Sequence, residues 1–173
     1  IATGMCEAAL MDGKKHMIFV LLGDGELCEG SNWEAMFTVA HRLYPNLVII
    51  IDRNGQATIG KIESRELKSD GPTQEPLAAK FEAFGCEVKR INGHDFKQIF
   101  EALDGVHDRP TGPAYYRRPL VVISDSLKGK GASVMEDQRL WHYRFPANED
   151  LEKTMKDLHM DGLDSSVKKN ESY

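Results

Sequence analysis

Short apolar runs alternate with amphipathic segments along this chain. Four runs have the composition of buried strands and cover residues 16–22, 47–51, 86–91 and 120–124. Between the first two runs, apolar residues recur at spacings of three and four from Trp33 to Leu43, which places them on one helical face. Comparable patterns predict helices over residues 2–11, 29–43, 76–84, 95–103 and 149–159. Strands that alternate with helices in this way predict an α/β fold with a doubly wound, mostly parallel sheet.

Two segments break this alternation. Residues 54–74 contain three glycines and a proline with weak periodicity, which predicts a long loop, and such loops are usually functional or mobile. Residues 127–133 form a second, glycine-rich loop. The length of 173 residues predicts one domain over residues 1–160, followed by a polar tail over 161–173. Because the first helical pattern has no capping turn before it, we expect the domain to be truncated at its N-terminus.

Composition narrows the function classes. The net charge is -5 and the basic residues are scattered, which argues against nucleic acid as a partner. The apolar runs are far shorter than the roughly 20 residues of a membrane-spanning helix. The three cysteines show no paired spacing typical of zinc sites or disulfide frameworks, so we expect a reducing, cytoplasmic location.

The first candidate site follows the first strand, at Gly23-Asp24-Gly25. Open α/β sheets bind ligands at the carboxyl ends of their strands, where Asp24 can present a carboxylate. Gly25 allows a bound anion to approach the backbone, and the helix that follows offers free N–H groups. Alone, the triplet is also typical of an ordinary turn.

The second candidate site follows the next strand, at Asn54-Gly55-Gln56. If the two strands are neighbours, Asn54 lies beside Asp24. A magnesium-type ion prefers about six oxygen ligands. Asp24, the Asn54 side-chain amide and a main-chain carbonyl near Gln56 would supply three and leave room for a diphosphate. The alternative for Asn54-Gly55 is a type I′ hairpin turn, which suits two strands separated by a helix poorly.

These motifs resemble a known family. The run from Gly23 to Ala35, the following Asn46-Leu47-Val48 and Asp52-Arg53-Asn54 are similar to the thiamine diphosphate signature of transketolases. The resemblance implies a thiamine diphosphate-binding fold in which Asp24, Asn54 and the Gln56 carbonyl bind Mg²⁺ or Ca²⁺. It also implies that Gly25 and Glu26 contact the cofactor.

The resemblance assigns four further residues. Glu29 and Glu34 match an acidic network at the subunit interface, although each is otherwise typical of a solvated helix face. Lys128, in a Lys-Gly-Lys-Gly loop, and His142, in a Trp-His pair, match residues near the diphosphate, and His142 is the predicted catalytic residue. The family continues with glycine after this histidine, whereas here Tyr143 follows, which puts the usual sugar-phosphate specificity in doubt.

The implied activity is transfer of a two-carbon ketol unit from a ketose phosphate to an aldose acceptor. In the family, a pyrimidine-binding domain completes the site, so a partner domain or a separate C-terminal subunit is expected, in a homodimer or a heterotetramer. The alternatives are another thiamine diphosphate enzyme, similar to deoxyxylulose phosphate synthase or a 2-oxoacid decarboxylase, and a catalytically inactive assembly subunit.

Overall fold

A computed structural model describes residues 1–57, 60–62, 74–108 and 118–160 of the chain. The chain forms two compact units, Ile1–Ser126 and Leu127–Tyr173. The predicted extent of one domain over residues 1–160 stays a prediction, and the predicted tail over 161–173 lies outside the described residues.

The first unit contains a four-stranded parallel sheet. Its strands, in the spatial order β1-β2-β6-β5, are β1 (Ile18–Gly23), β2 (Leu47–Arg53), β6 (Leu120–Asp125) and β5 (Glu87–Asn92). Within the described ranges of this unit, four helices accompany the sheet: α1 (Ala2–Met11), α2 (Gly30–Arg42), α3 (Leu77–Ala83) and α4 (Phe96–Leu103). The predicted α/β fold with a parallel sheet is confirmed.

Helices cover both faces of this sheet. Along β2, Leu47, Ile49 and Ile51 belong to one core cluster, which also contains residues of α1, α2 and α3. Val48 belongs to a second cluster with Ala102 of α4, and Ile50 packs against that cluster. This alternation explains why β2 is apolar throughout, since both of its faces are buried.

The second face is less covered at the β1 edge of the sheet. Phe19 and Leu21 lie on the same face as Val48 and Ile50 by their register, yet they are 47% and 68% exposed. None of the helices in the described ranges combines the length and apolar character needed to cross a bilayer.

The predicted loop over 54–74 contains some regular structure. Two short strands, β3 (Gln56–Ala57) and β4 (Gly60–Lys61), pair antiparallel immediately after Asn54-Gly55. Asn54-Gly55 therefore precedes this hairpin rather than forming its turn. Residues 58–59 and 63–73 of the predicted loop lie outside the described residues.

The second unit contains a 3-10 helix (Arg139–His142) and α5 (Asn148–Asp157). Asp157 ties α5 to the preceding loop, because its Oδ2 accepts hydrogen bonds from the backbone N–H of Ser133, at 2.7 Å, and from the Ser133 hydroxyl, at 2.5 Å. The indole of Trp141 donates to the Val134 carbonyl at 2.9 Å.

Candidate functional site

Asp24 and Asn54 follow the ends of two adjacent strands. β1 and β2 are paired in parallel with Gly23 opposite Asp52, so both chain segments leave the sheet at the same edge. The backbone N–H of Gly55 donates to Asp24 Oδ2 at 2.6 Å. The next backbone N–H, that of Gln56, donates to Asn54 Oδ1 at 3.0 Å. Two consecutive amides thus bring the aspartate and the asparagine oxygens to one turn.

The Asp24 carboxylate is buried. The residue is 1% exposed, and its Oδ1 has no hydrogen-bond partner among the described residues. Burial raises the pKa of this carboxyl above its usual range, and the charge of Asp52 adds to the effect, against the lowering effect of N–H groups from Gly55 and Gly25. A buried carboxylate oxygen without a donor is costly to keep unless a cation or another donor reaches it.

This arrangement fits the divalent cation that the transketolase resemblance implies. Oxygen ligands are what Mg²⁺ and Ca²⁺ prefer, and the turn offers a carboxylate oxygen and an amide oxygen beside the buried Gln56. The described residues contain no cluster of three or more His, Cys, Asp or Glu side chains suited to a metal. The predicted set of ligands differs from such a cluster, because it contains one carboxylate and two neutral oxygens. The metal-binding roles of Asp24, Asn54 and Gln56 stay predictions.

A short 3-10 helix (Asp24–Cys28) determines where Asp24 lies. Its first turn is closed by Glu26, whose Oε2 accepts a hydrogen bond from the Gly23 N–H at 2.7 Å. Two side chains of α2 hold its carbonyls: Asn32 Nδ2 donates to Glu26 O and Trp33 Nε1 donates to Leu27 O, each at 2.7 Å. Glu26 therefore has a structural task at this turn, and its predicted contact with the cofactor stays a prediction.

Gly25 lies against the short hairpin. A Cβ at this position would be 3.1 Å from the Cβ of Ala57, which is closer than nine in ten real Cβ contacts. A larger residue would therefore push β3 away from the 3-10 helix. The close approach explains a glycine here without reference to a ligand, and the predicted contact of Gly25 with a diphosphate stays a prediction.

The side-chain amide of Asn54 is held from both ends. Its Nδ2 donates to Asp52 Oδ2 at 3.0 Å, while its Oδ1 accepts from Gln56 N. The other oxygen of Asp52 accepts a hydrogen bond from the Ser126 hydroxyl, and the Ser126 N–H donates to the Arg53 carbonyl at 3.0 Å. Sequence reasoning missed Asp52 and Ser126. The position of Asp52 two residues before Asn54 was a usable signal, whereas Ser126 depends on the register of β6.

Gln74 was also missed. Its Nε2 donates to the Asp24 carbonyl at 2.7 Å and lies 3.5 Å from Cys28 Sγ. The contact ties the start of the segment that leads into α3 to the 3-10 helix. A glutamine at the end of a predicted loop carries no signal in the sequence that would have identified this contact.

An ion-pair cluster lies beside this contact, at the carboxyl edge of the sheet. Glu75 Oε1 is 3.0 Å from Arg53 Nη2 and 2.9 Å from Arg90 Nη1. Asp125 Oδ1 is 3.0 Å from Arg53 Nη1, and its Oδ2 is 2.7 Å from Arg90 Nε. Each arginine thus pairs with both carboxylates. These ion pairs connect β2, β5 and β6 to one another and to Glu75, which lies just before α3.

The remaining predicted residues lie elsewhere in the chain. Glu29 immediately precedes α2 and Glu34 lies within it, and both are exposed, so their place in an interface network stays a prediction. Lys128 and His142 belong to the second unit, where His142 is exposed at the end of the 3-10 helix. Their predicted contacts with a diphosphate stay predictions.

The Lys-Gly-Lys-Gly loop has a definite conformation. Gly129 adopts φ +75°, and a Cβ there would lie 2.6 Å from the Met135 carbonyl oxygen. Only glycine fits this position without moving the backbone. The conformation of the loop therefore depends on its glycine spacing.

Comparison with known proteins agrees with these observations. The family described as transketolase, thiamine diphosphate binding domain, matches residues 7–170. A protein of Actinobacillus succinogenes, named as one subunit of an apulose-4-phosphate transketolase, is 37% identical over 158 residues, which are 91% of this chain and 52% of that protein. The protein of the same name from Phocaeicola vulgatus is 34% identical over 161 residues, again 91% and 52%. The chain thus spans about half the length of these two relatives.

A solved structure gives the same assignment. The transketolase of Campylobacter jejuni superposes with a TM-score of 0.76 at 28% identity, over 92% of this chain and 24% of that chain. The parallel sheet, the strand-tip aspartate and asparagine, and the match over residues 7–170 therefore agree. The chain belongs to the transketolase family, within its thiamine diphosphate-binding domain.

Proposed function

We propose that this chain binds the diphosphate and the divalent metal of thiamine diphosphate in an enzyme that transfers a two-carbon ketol unit from a ketose phosphate to an aldose. The observation that carries the proposal is the buried Asp24 Oδ1, which lacks a hydrogen-bond donor within the described part of the chain and lies at a turn shared with Asn54. A divalent cation would supply the missing positive partner.

In this proposal, residues of the chain bind the metal and orient the cofactor. Asp24 and Asn54 would bind Mg²⁺ or Ca²⁺ through side-chain oxygens, and Gln56 through its main-chain carbonyl. The metal would in turn offset the negative charge of the diphosphate, so the chain would hold the diphosphate end of the cofactor. When bound, thiamine diphosphate supplies a nucleophilic thiazolium carbon and a ring that accepts electrons. Lys128 and His142 are proposed to contact the diphosphate and the substrate.

The names of relatives support ketol transfer over the other thiamine diphosphate reactions. Both apulose-4-phosphate relatives are named as transketolase subunits, and a Clostridium relative, 33% identical over 146 residues, is named as a subunit of 6-deoxy-6-sulfo-D-fructose transketolase. The two apulose-4-phosphate names support a sugar phosphate as the substrate that we propose. All three names support a partner subunit, which we propose binds the pyrimidine ring of the cofactor.

The test combines activity with cofactor retention. The full-length protein and its partner are incubated with thiamine diphosphate and Mg²⁺, and ketol transfer between sugar phosphates is followed. We expect Asp24→Ala to weaken metal-dependent cofactor binding more than about 100-fold, since loss of even an outer partner of a metal ligand costs about 10- to 100-fold. Ketol transfer should be lost in parallel.

Asp104→Ala is the matched control, because Asp104 is an exposed aspartate that follows α4. This variant should bind the cofactor like the wild type. Cofactor retention that is unchanged in Asp24→Ala would contradict the proposed site. Binding of cofactor without any ketol transfer by the assembled wild type would contradict the proposed reaction.

A further inference from the structure

The orientation of the Asn54 amide is determined by two opposite demands. The Gln56 N–H is a donor and requires the amide oxygen on its side, at 3.0 Å. The Asp52 carboxylate is an acceptor and requires the amide nitrogen on its side, also at 3.0 Å. A flip of the amide would place donor against donor and acceptor against acceptor, so only one orientation satisfies both neighbours.

Asp52 is itself anchored. Its second oxygen accepts a hydrogen bond from the Ser126 hydroxyl, and Ser126 directly follows β6. The Ser126 N–H donates to the Arg53 carbonyl, which extends the β2–β6 ladder by one further bond. The carboxylate is therefore held on the central two strands of the sheet and does not depend on the hairpin that follows Asn54.

We propose that Asp52, held by Ser126, is a positioning residue that keeps the Asn54 amide oxygen turned toward the metal. The inference rests on the proposed function, because it assumes that Asn54 Oδ1 is a metal ligand. The amide nitrogen carries two hydrogens and cannot bind a cation, so the unflipped amide is the only one that supplies a ligand. Outer partners that orient a metal ligand are known to affect affinity strongly.

The charge of Asp52 and its hydrogen bond can be separated. Asp52→Ala removes both. Asp52→Asn removes the charge, but its Oδ1 can still accept from Asn54 while its Nδ2 donates to the Ser126 oxygen, because a hydroxyl is also an acceptor. If orientation is what matters, the asparagine variant retains metal affinity and the alanine variant does not.

The experiment measures Mn²⁺ binding in the presence of thiamine diphosphate, by electron paramagnetic resonance of the free ion, in the assembled full-length protein. Wild type, Asp24→Ala, Asp52→Ala and Asp52→Asn are compared after thermal melting without metal has shown that each is folded. We expect Asp52→Ala to bind Mn²⁺ about 10-fold or more weakly, with Asp52→Asn close to the wild type. If Asp52→Ala does not fold, Asp52→Ser replaces it. Serine also lacks the Oδ2 atom that accepts the hydrogen bond from Asn54 Nδ2.

The possible failures are distinguishable. Wild type that binds no Mn²⁺ with the cofactor, or Asp24→Ala that binds it normally, would overturn the proposed function and this inference with it. If Asp24→Ala loses binding while Asp52→Ala binds like the wild type, only the inference falls. Equal weakening in the alanine and asparagine variants would also overturn it, because charge rather than amide orientation would then explain the loss.

Discussion

At the scale of single residues, the burial of Asp24, the proposed metal ligand, opposes the stability of the fold. Its carboxylate is 1% exposed and therefore loses its hydrogen bonds to water. Backbone N–H groups replace only some of those bonds, because one oxygen has no donor in the described structure, and this loss costs free energy. The sequence identified Asp24 from its position after a strand. It could not indicate how deeply the side chain is buried, because the burial depends on the 3-10 helix and the hairpin that surround it.

The three cysteines make a residue-scale prediction. Cys6 and Cys86 are buried, and burial raises the pKa of each thiol to about 11, whereas Cys28 is exposed. At pH 8 a thiol with that pKa is ionised in roughly one molecule in a thousand, so it reacts slowly with alkylating reagents. We expect iodoacetamide to modify Cys28 in the native protein and the other two only after unfolding, as read by peptide mass spectrometry.

Cys28→Ser is the control for this labelling and should leave the native chain unmodified at these positions. Rapid native labelling of Cys6 or Cys86 would show that the core around α1 or β5 is more open than the structure indicates.

At the scale of elements, the bounds of the helices were largely predictable. The pattern over residues 2–11 coincides with α1, and the other predicted helices differ by one or two residues at their ends. β2, however, continues to Arg53, two residues past its predicted end, because Asp52 and Arg53 pair with Ser124 and Asp125 of β6. These polar residues look like loop residues in the sequence, and only the neighbouring strand explains why they are in the sheet.

The contact of Gln74 with the 3-10 helix makes an element-scale prediction. Gln74→Ala removes the hydrogen bond to the Asp24 carbonyl, and a hydrogen bond contributes about 0.5–1.5 kcal/mol net. We expect the free energy of unfolding to fall by about 1 kcal/mol in urea titrations. The matched control is Gln138→Ala at an exposed position of the second unit, which should change the free energy little. Equal effects of the two substitutions would contradict a specific role for Gln74.

At the scale of the whole molecule, four charged side chains form ion pairs that connect strands at the carboxyl edge of the sheet. Arg53, Arg90, Glu75 and Asp125 connect three of the four strands, although the sequence showed only scattered charges. For Asp125, burial acts to raise the pKa, but the hydrogen bond and charge of Arg90, with those of Arg53, outweigh it and lower the pKa. The cluster could not be predicted, because its members are up to 72 positions apart in the sequence.

The depressed pKa of Asp125 predicts a pH dependence. A carboxyl whose pKa is lower in the folded state stabilises the fold above its unfolded pKa of about 3.9, and this stabilisation is lost as pH falls through the folded value. We therefore expect the free energy of unfolding to decrease as pH falls below about 4. Urea titrations at a series of pH values would measure this free energy. Asp125→Asn should have a lower free energy of unfolding than the wild type at pH 7, and the two values should converge at the lowest pH.

Asp104→Asn, at an exposed position, is the control and should follow the wild type at every pH. A constant difference between Asp125→Asn and wild type from pH 7 to the acid end would mean that the ion pairs do not cause the difference.

The position of Trp33 has a practical consequence. Its indole N–H donates a hydrogen bond to the carbonyl of Leu27, three residues after Asp24. Its ring stacks on Phe81 at a centroid distance of 5.6 Å. Near-ultraviolet emission from this indole therefore depends on the same backbone segment that presents the aspartate. With Trp141 replaced by phenylalanine, the chain would carry a single tryptophan, and the metal binding proposed at the strand tips could be tested by its fluorescence without attaching any dye.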